Sequence, residues 1–382
     1  MASGAGGCET HPLLREVTAF DESKPAPGGE SQKGTYYSDV ARSGQGALGA
    51  GPIMSIRPRV FATRRLPGQV LERLAGRVAL DVWPGSGAPG PEALAEGAAR
   101  ADGLLCLLTD PVDERLFERC PGLRVVSSCS VGLDHVDLEA ATRRGIPVGF
   151  TPGVLAQTTA DLAFALLLAS ARRVVEADRA VRAGEWTWEH RWDPEAFLGR
   201  DVHGATLGIL GLGAIGRAVA NRAQGFGMHV LGWSRSGREV AGVERVTFEG
   251  LLRRADFVTV HLALSADTRG ILDAEAMGRL KPGAVLVNSA RGGILDEAAL
   301  VAALESGRLA AAALDVFASE PLAPDSPLLT APNLVLTPHI GSASVATRER
   351  MADLAGENLL AGLEGRAMPE CANPGFADAL RG

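Results

Sequence analysis

From Pro58 onward, short solid runs of apolar residues are separated by stretches in which apolar positions recur at helical spacing. Solid runs of this length suit strands buried on both faces, and their alternation with amphipathic segments predicts parallel sheets covered by helices. Strands are expected at residues 59–62, 78–82, 103–107, 123–127 and 147–149, and again at 207–210, 229–233, 256–260, 284–288, 309–316 and 333–337. Helices are expected between them at 68–75, 91–99, 113–119 and 137–143. A single long helix over 158–182, capped by Thr158 or Thr159, reads as a bridge between two halves of the chain. A closing helix at about 343–364 is expected to pack back on the first half. The fold class is therefore α/β, with two doubly wound parallel-sheet domains. One is of Rossmann type over 156–339, and the other is discontinuous and flavodoxin-like, built from 56–155 and 340–382. Residues 1–55, rich in Gly, Ser and Pro, show neither period, so they are expected to be a disordered and dispensable extension.

The run at 207–210 leads into Gly211-x-Gly213-x-x-Gly216 and then into a helix beginning near Ala214 and Ile215. A glycine turn between strand and helix allows a tight reversal, backbone approach to a pyrophosphate, and close helix–strand packing, so it predicts dinucleotide binding. At the end of the next strand, where an acid would select NAD by bonding the ribose hydroxyls, stands Ser234, followed by Arg235, Ser236 and Arg238. Two cations and two hydroxyls around a missing carboxylate favour NADP, with NAD as the alternative.

Composition narrows the class further. Hydrophobic residues make up 46% and the net charge is −7, which gives no reason to expect nucleic acid or an anionic membrane surface as partner. No apolar run approaches the length of a membrane span. The five cysteines lack CxxC spacing, so reduced thiols in the cytoplasm are expected, and a structural metal is not. Three of the five tryptophans, Trp186, Trp188 and Trp192, crowd one segment, which suits a subunit contact.

Three polar residues follow directly on three of the later strands: Arg291, Glu320 and His339. Strand carboxyl ends of a parallel sheet share one edge, the edge that also holds the glycine turn, so these side chains are expected to converge beside the nicotinamide. Arg291 offers a fork for a carboxylate, His339 a proton near neutral pH, and Glu320 an anion to orient the imidazole. The turn Ser128–His135 after an earlier strand either grips a carboxylate through backbone N–H groups or is an ordinary turn, with His135 read as a packing residue.

The wording GLGAIG, NSARGGILDEAAL, AALDVFASEPL and TPHIGSA resembles the D-2-hydroxyacid dehydrogenase family over about residues 57–370, most of all its glyoxylate/hydroxypyruvate reductases. The resemblance implies reduction of a small 2-keto acid by a nicotinamide cofactor, with Arg291 on the substrate carboxylate, His339 as acid/base and Glu320 as its partner. It implies substrate contacts from Val131 and Gly132, cofactor contacts from Thr158, Ala263, Ser289, Asp315 and Gly341, and a homodimer. Asp161 and Ala263 depart from common family wording. Two other readings stay open: a D-3-phosphoglycerate-type dehydrogenase, against which Ser234 and Arg235 argue, and a dehydrogenase-like transcriptional corepressor.

Overall fold

The computed structural model describes residues 57–377, and the N-terminal extension and Cys8 lie outside the described residues. The described residues form one compact unit that contains two all-parallel sheets.

The first sheet is formed by β1 (Arg59–Ala62), β2 (Ala79–Val82), β3 (Gly103–Cys106), β4 (Val125–Ser128) and β5 (Val148–Gly149), in the order β2-β1-β3-β4-β5. That is the flavodoxin-like order, with a switch point between β1 and β3. Its crossovers are α1 (Val70–Ala75), α2 (Pro91–Ala98), α3 (Glu114–Arg119) and α4 (Leu138–Arg143). Asp113 and Asp137 cap α3 and α4 by accepting from the backbone N–H groups of Leu116 and Ala140.

Two helices follow, α5 (Ala156–Ala171) and α6 (Val174–Arg182), where the sequence pattern suggests one. The break is a tertiary effect. The backbone N–H of Arg200 donates to the carbonyl of Ala171 at 2.8 Å, taking the acceptor that a continuing helix needs, and Arg173 turns into the left-handed region at φ 52°. The expected threonine cap is also corrected. Leu155 precedes the helix without a side-chain cap, Thr158 Oγ1 pairs with Thr347 Oγ1 at 2.7 Å, and Thr159 Oγ1 donates to the carbonyl of Gly341.

The second sheet is formed by β6 (Thr206–Leu210), β7 (His229–Trp233), β8 (Glu244–Arg245), β9 (Phe257–Val260), β10 (Ala284–Asn288), β11 (Leu309–Leu314) and β12 (Leu334–Leu336). The order β12-β11-β10-β9-β6-β7-β8 places the switch point between β6 and β9. Helices α7 (Ala214–Gly225), α8 (Phe248–Arg254), α9 (Ala274–Arg279) and α10 (Glu297–Glu305) cover it together with α5. Every residue of β10 is buried, which is why Ala284–Val287 reads as an unbroken apolar run, closed by Asn288. The short strand β8 carries no apolar pattern and is not legible in the sequence.

The last helix, α11 (Val345–Leu363), returns to the first sheet. Ala352, Ala355, Leu359 and Leu363 pack with Val60, Leu105 and Val125, and Ser127 Oγ donates to the carbonyl of Ala355. The closing segment therefore belongs to the core of the first lobe. No described helix is long and apolar enough to cross a membrane.

Candidate active site

The carboxyl ends of both sheets open on one cleft of about 310 Å³, and among the residues that line it are Gly132, His135, Arg291, Glu320 and His339. Arg291 leaves β10 on a loop shaped by Asn288, whose Oδ1 accepts from Ala290 N and whose Nδ2 donates to the Arg291 carbonyl. At Gly292 a Cβ would run into the backbone of Phe317, so only glycine lets the Arg291 loop lie against the loop that carries Glu320.

His339 follows β12 with a left-handed backbone, φ 54°. That conformation is costly for a non-glycine residue, and Asp315 supports it from β11. Asp315 Oδ1 accepts from Thr337 Oγ1 at 2.6 Å and from Ile340 N at 2.8 Å, one partner on each side of His339. The imidazole Nδ1 donates to Glu320 Oε2 at 2.7 Å, while Glu320 Oε1 accepts from Phe317 N at 3.0 Å. Burial pushes the Glu320 carboxyl up, but the bonds from His339 and Phe317 and the neighbouring His339 and Arg291 charges outweigh it, so it stays below its ordinary value. Glu320 is therefore an anion at neutral pH, fixed on one nitrogen of His339.

His135 is a packing residue of the braced turn. Ser130 Oγ donates to the Gly132 carbonyl, so Ser128 Oγ donates to Ser130, and His135 Nε2 donates to Ser128 at 3.0 Å. Burial pushes its pKa down to about 4, which leaves it neutral at pH 7.

The groups placed for a dinucleotide fit one. Gly213 opens on free space, whereas a Cβ at Gly216 would meet the Gly211 carbonyl oxygen, so the turn is open on its outer side and tight against the helix. Ala214 and Ile215 begin α7 behind it. Four buried polar atoms at the strand ends of the second sheet have no hydrogen-bond partner among the described residues: Ser234 Oγ, His261 Nδ1, Ser289 Oγ and Asp315 Oδ2. Such atoms are costly unless a ligand or water satisfies them. Burial raises the Asp315 carboxyl despite its hydrogen bonds. Gly341 lies against Asp315 and Thr159, and the Ala263 carbonyl accepts from Thr268 Oγ1.

Residues 164–341 match the model of the D-isomer specific 2-hydroxyacid dehydrogenase, NAD binding domain. A glyoxylate reductase of Korarchaeum cryptofilum is 48% identical over 322 residues, covering 83% of this chain and 96% of that protein. The chain belongs to the D-2-hydroxyacid dehydrogenases. Among solved structures, a Thermus thermophilus protein superposes with TM-score 0.78 at 48% identity, covering 82% of this chain and 99% of that one. An NADPH-dependent glyoxylate/hydroxypyruvate reductase of Sinorhizobium meliloti, solved with NADP and malonate, gives TM-score 0.75 at 34% identity, covering 83% and 98%. The protein is thus an NAD(P)-dependent D-2-hydroxyacid dehydrogenase enzyme, with a nicotinamide cofactor bound by the second sheet.

Within this dehydrogenase the structure brings Gly132, Arg291, Glu320 and His339 into one cleft and places Val131 on the same loop as Gly132. It divides the arginines after β7. Arg235 is engaged with Asp267 at 2.7 Å, whereas Arg238 faces a concavity of about 410 Å³ together with Arg245 of β8, and Ser236 lies in the same turn. Arg245 escaped the sequence reading because β8 has no hydrophobic signature. Asp134, Arg269 and the apolar lining residues Leu108, Leu264 and Phe317 were likewise missed. Asp134 and Phe317 lay inside stretches that the sequence had marked, Ser128–His135 and AALDVFASEPL, without being singled out.

Proposed function

We propose that the enzyme reduces glyoxylate to glycolate and hydroxypyruvate to D-glycerate, with NADPH as the preferred cofactor. The observation that carries this reading is the His339–Glu320 pair standing in the same small cleft as Arg291. A reduced nicotinamide held at the Gly211–Gly216 turn would supply the hydride for the keto carbon. Arg291 binds the substrate carboxylate through its guanidinium, His339 gives a proton to the keto oxygen, and Glu320 keeps the imidazole oriented and favours its charged form. Leu108, Leu264 and Phe317 line the same cleft of about 310 Å³, and so small a cleft suits substrates such as glyoxylate and hydroxypyruvate. The glyoxylate reductases among its relatives support the substrate class.

Preference for NADPH is supported by the unpartnered Ser234 Oγ and by Arg238 and Arg245, neither of which has an acidic partner among the described residues. Arg235 is a weaker candidate because Asp267 already neutralises it. Trp186, Trp188 and Trp192, 65–87% exposed, support a homodimer that covers them, and the free cysteines suit the cytoplasm. The decisive experiment is initial rates of glyoxylate and hydroxypyruvate reduction with NADPH and NADH in parallel. Turnover with a clear NADPH preference is expected; turnover with NADH alone overturns the cofactor assignment, and no turnover of either acid overturns the substrate assignment.

A further inference from the structure

Arg291 does not stand alone in the cleft. Its Nε donates to Oδ2 of Asp134 at 2.6 Å, a residue of the β4–α4 turn and so of the opposite lobe. Nη1 donates to the carbonyl of neighbouring Ala290 at 2.8 Å, and Nη2 lies against Gly132 with no acceptor among the described residues. Of the five guanidinium hydrogens, one on Nη1 and both on Nη2 have no acceptor among the described residues, and one of the Nη2 pair points off the Nη end of the fork while the other runs beside Nε–H.

The turn that presents Asp134 is itself braced. The Ser128, Ser130 and Gly132 bonds tie its start, and the backbone of Val112 accepts from Asp137 and donates to the His135 carbonyl at its end. An arginine side chain has several rotatable bonds, and its free rotamers must be given up each time it closes on a carboxylate. A fixed acceptor on Nε removes that freedom beforehand, holding the guanidinium plane and leaving the Nη edge to the ligand.

We infer that Asp134 is a positioning residue for substrate binding: from the opposite lobe it fixes the plane of Arg291, so that the Nη edge meets the substrate carboxylate. The inference rests on the reading of Arg291 as the carboxylate binder. It works through the hydrogen bond rather than the charge, because a second anion beside the fork would by itself weaken anion binding.

The test is steady-state glyoxylate reduction together with calorimetric binding of oxamate, a small carboxylate of substrate shape, in the full chain loaded with cofactor. Asp134→Ala is expected to raise the glyoxylate KM and the oxamate Kd about tenfold with kcat near the parent. Asp134→Asn, whose amide oxygen still accepts from Nε, is expected to restore both to within about twofold. Parental KM and Kd in Asp134→Ala overturn the inference, as do equal defects in both variants, or a fall in kcat and Tm with KM unchanged. Arg291→Lys run alongside separates the two readings. If it also leaves KM unchanged, the carboxylate assignment fails; if it raises KM while Asp134→Ala does not, only the role of Asp134 falls.

Discussion

Nδ1 of His339 lies 2.7 Å from Oε2 of Glu320, and the other oxygen of that carboxylate is held by the backbone N–H of Phe317. Both lone-pair faces of the glutamate are thus committed, and the imidazole has one orientation, with Nε2 left for chemistry. The pair joins two loops of the second sheet, those after β11 and β12, whose strands are neighbours in register through Leu314 and Leu336.

This arrangement predicts a particular pH response. Because the Glu320 carboxyl sits below its ordinary value of 4.5, activity that depends on this anion should persist as pH falls to that value and be lost only below it. Glu320→Gln keeps the shape but has no carboxylate to protonate, so this acid limb should be absent from its profile and kcat/KM should be lower throughout. A kcat/KM profile from pH 3 to 8 checks this, and identical profiles for parent and variant remove Glu320 from the mechanism.

Arg291→Lys retains the charge but loses the fork, and a lysine amine cannot donate from two parallel positions. The KM for glyoxylate should rise by about one to two orders of magnitude, with a smaller change in kcat. Steady-state kinetics at saturating cofactor measure this split.

Ser234→Asp places a carboxylate where the 2′-phosphate of NADPH is proposed to lie. It should lower kcat/KM for NADPH by about tenfold or more while sparing or improving NADH. Arg245→Ala should reduce the NADPH preference in the same direction, because Arg245 shares the concavity of Arg238. Cofactor titrations at fixed glyoxylate decide the case, and an unchanged NADPH/NADH ratio in both variants places the selector elsewhere.

His261 lies directly after β9 with Nε2 hydrogen-bonded to Thr259 Oγ1 at 2.9 Å and Nδ1 buried without a partner. Burial lowers its pKa to about 3, and that of His135 to about 4, from an ordinary 6.5. In both cases the folded protein refuses a proton that the unfolded chain accepts. Their contribution to stability is therefore complete above pH 6.5 and declines as pH falls from there toward about 4, by about 1.4 kcal/mol per pH unit for each such proton. Thermal unfolding at pH 7.5, 6, 5 and 4.5 should show this decline, and His261→Asn should make it shallower; an unaltered slope in that variant contradicts the assignment.

Much of this protein is determined by its sequence alone. Solid apolar runs such as 284–287 mark strands because a strand buried on both faces is apolar wherever a polar side chain would find no partner, and their alternation with helices argues for a parallel sheet. Since all strands of such a sheet end on one edge, the convergence of Arg291, Glu320 and His339 is legible from their positions in the chain. Other features depend on partners far away in sequence. The end of α5 at Ala171 comes from a hydrogen bond to Arg200, and the closeness of the Arg291 and Glu320 loops needs Gly292 against Phe317. The same holds for the contact of Asp134 with Arg291, 157 residues apart, and for the neutralisation of Arg235 by Asp267. Hydrophobic periodicity records burial against a sheet, but it carries no information about which polar atom meets which across a cleft. The Asp134–Arg291 contact needs both lobes, whereas the others are decided by how loops of the second lobe pack on one another.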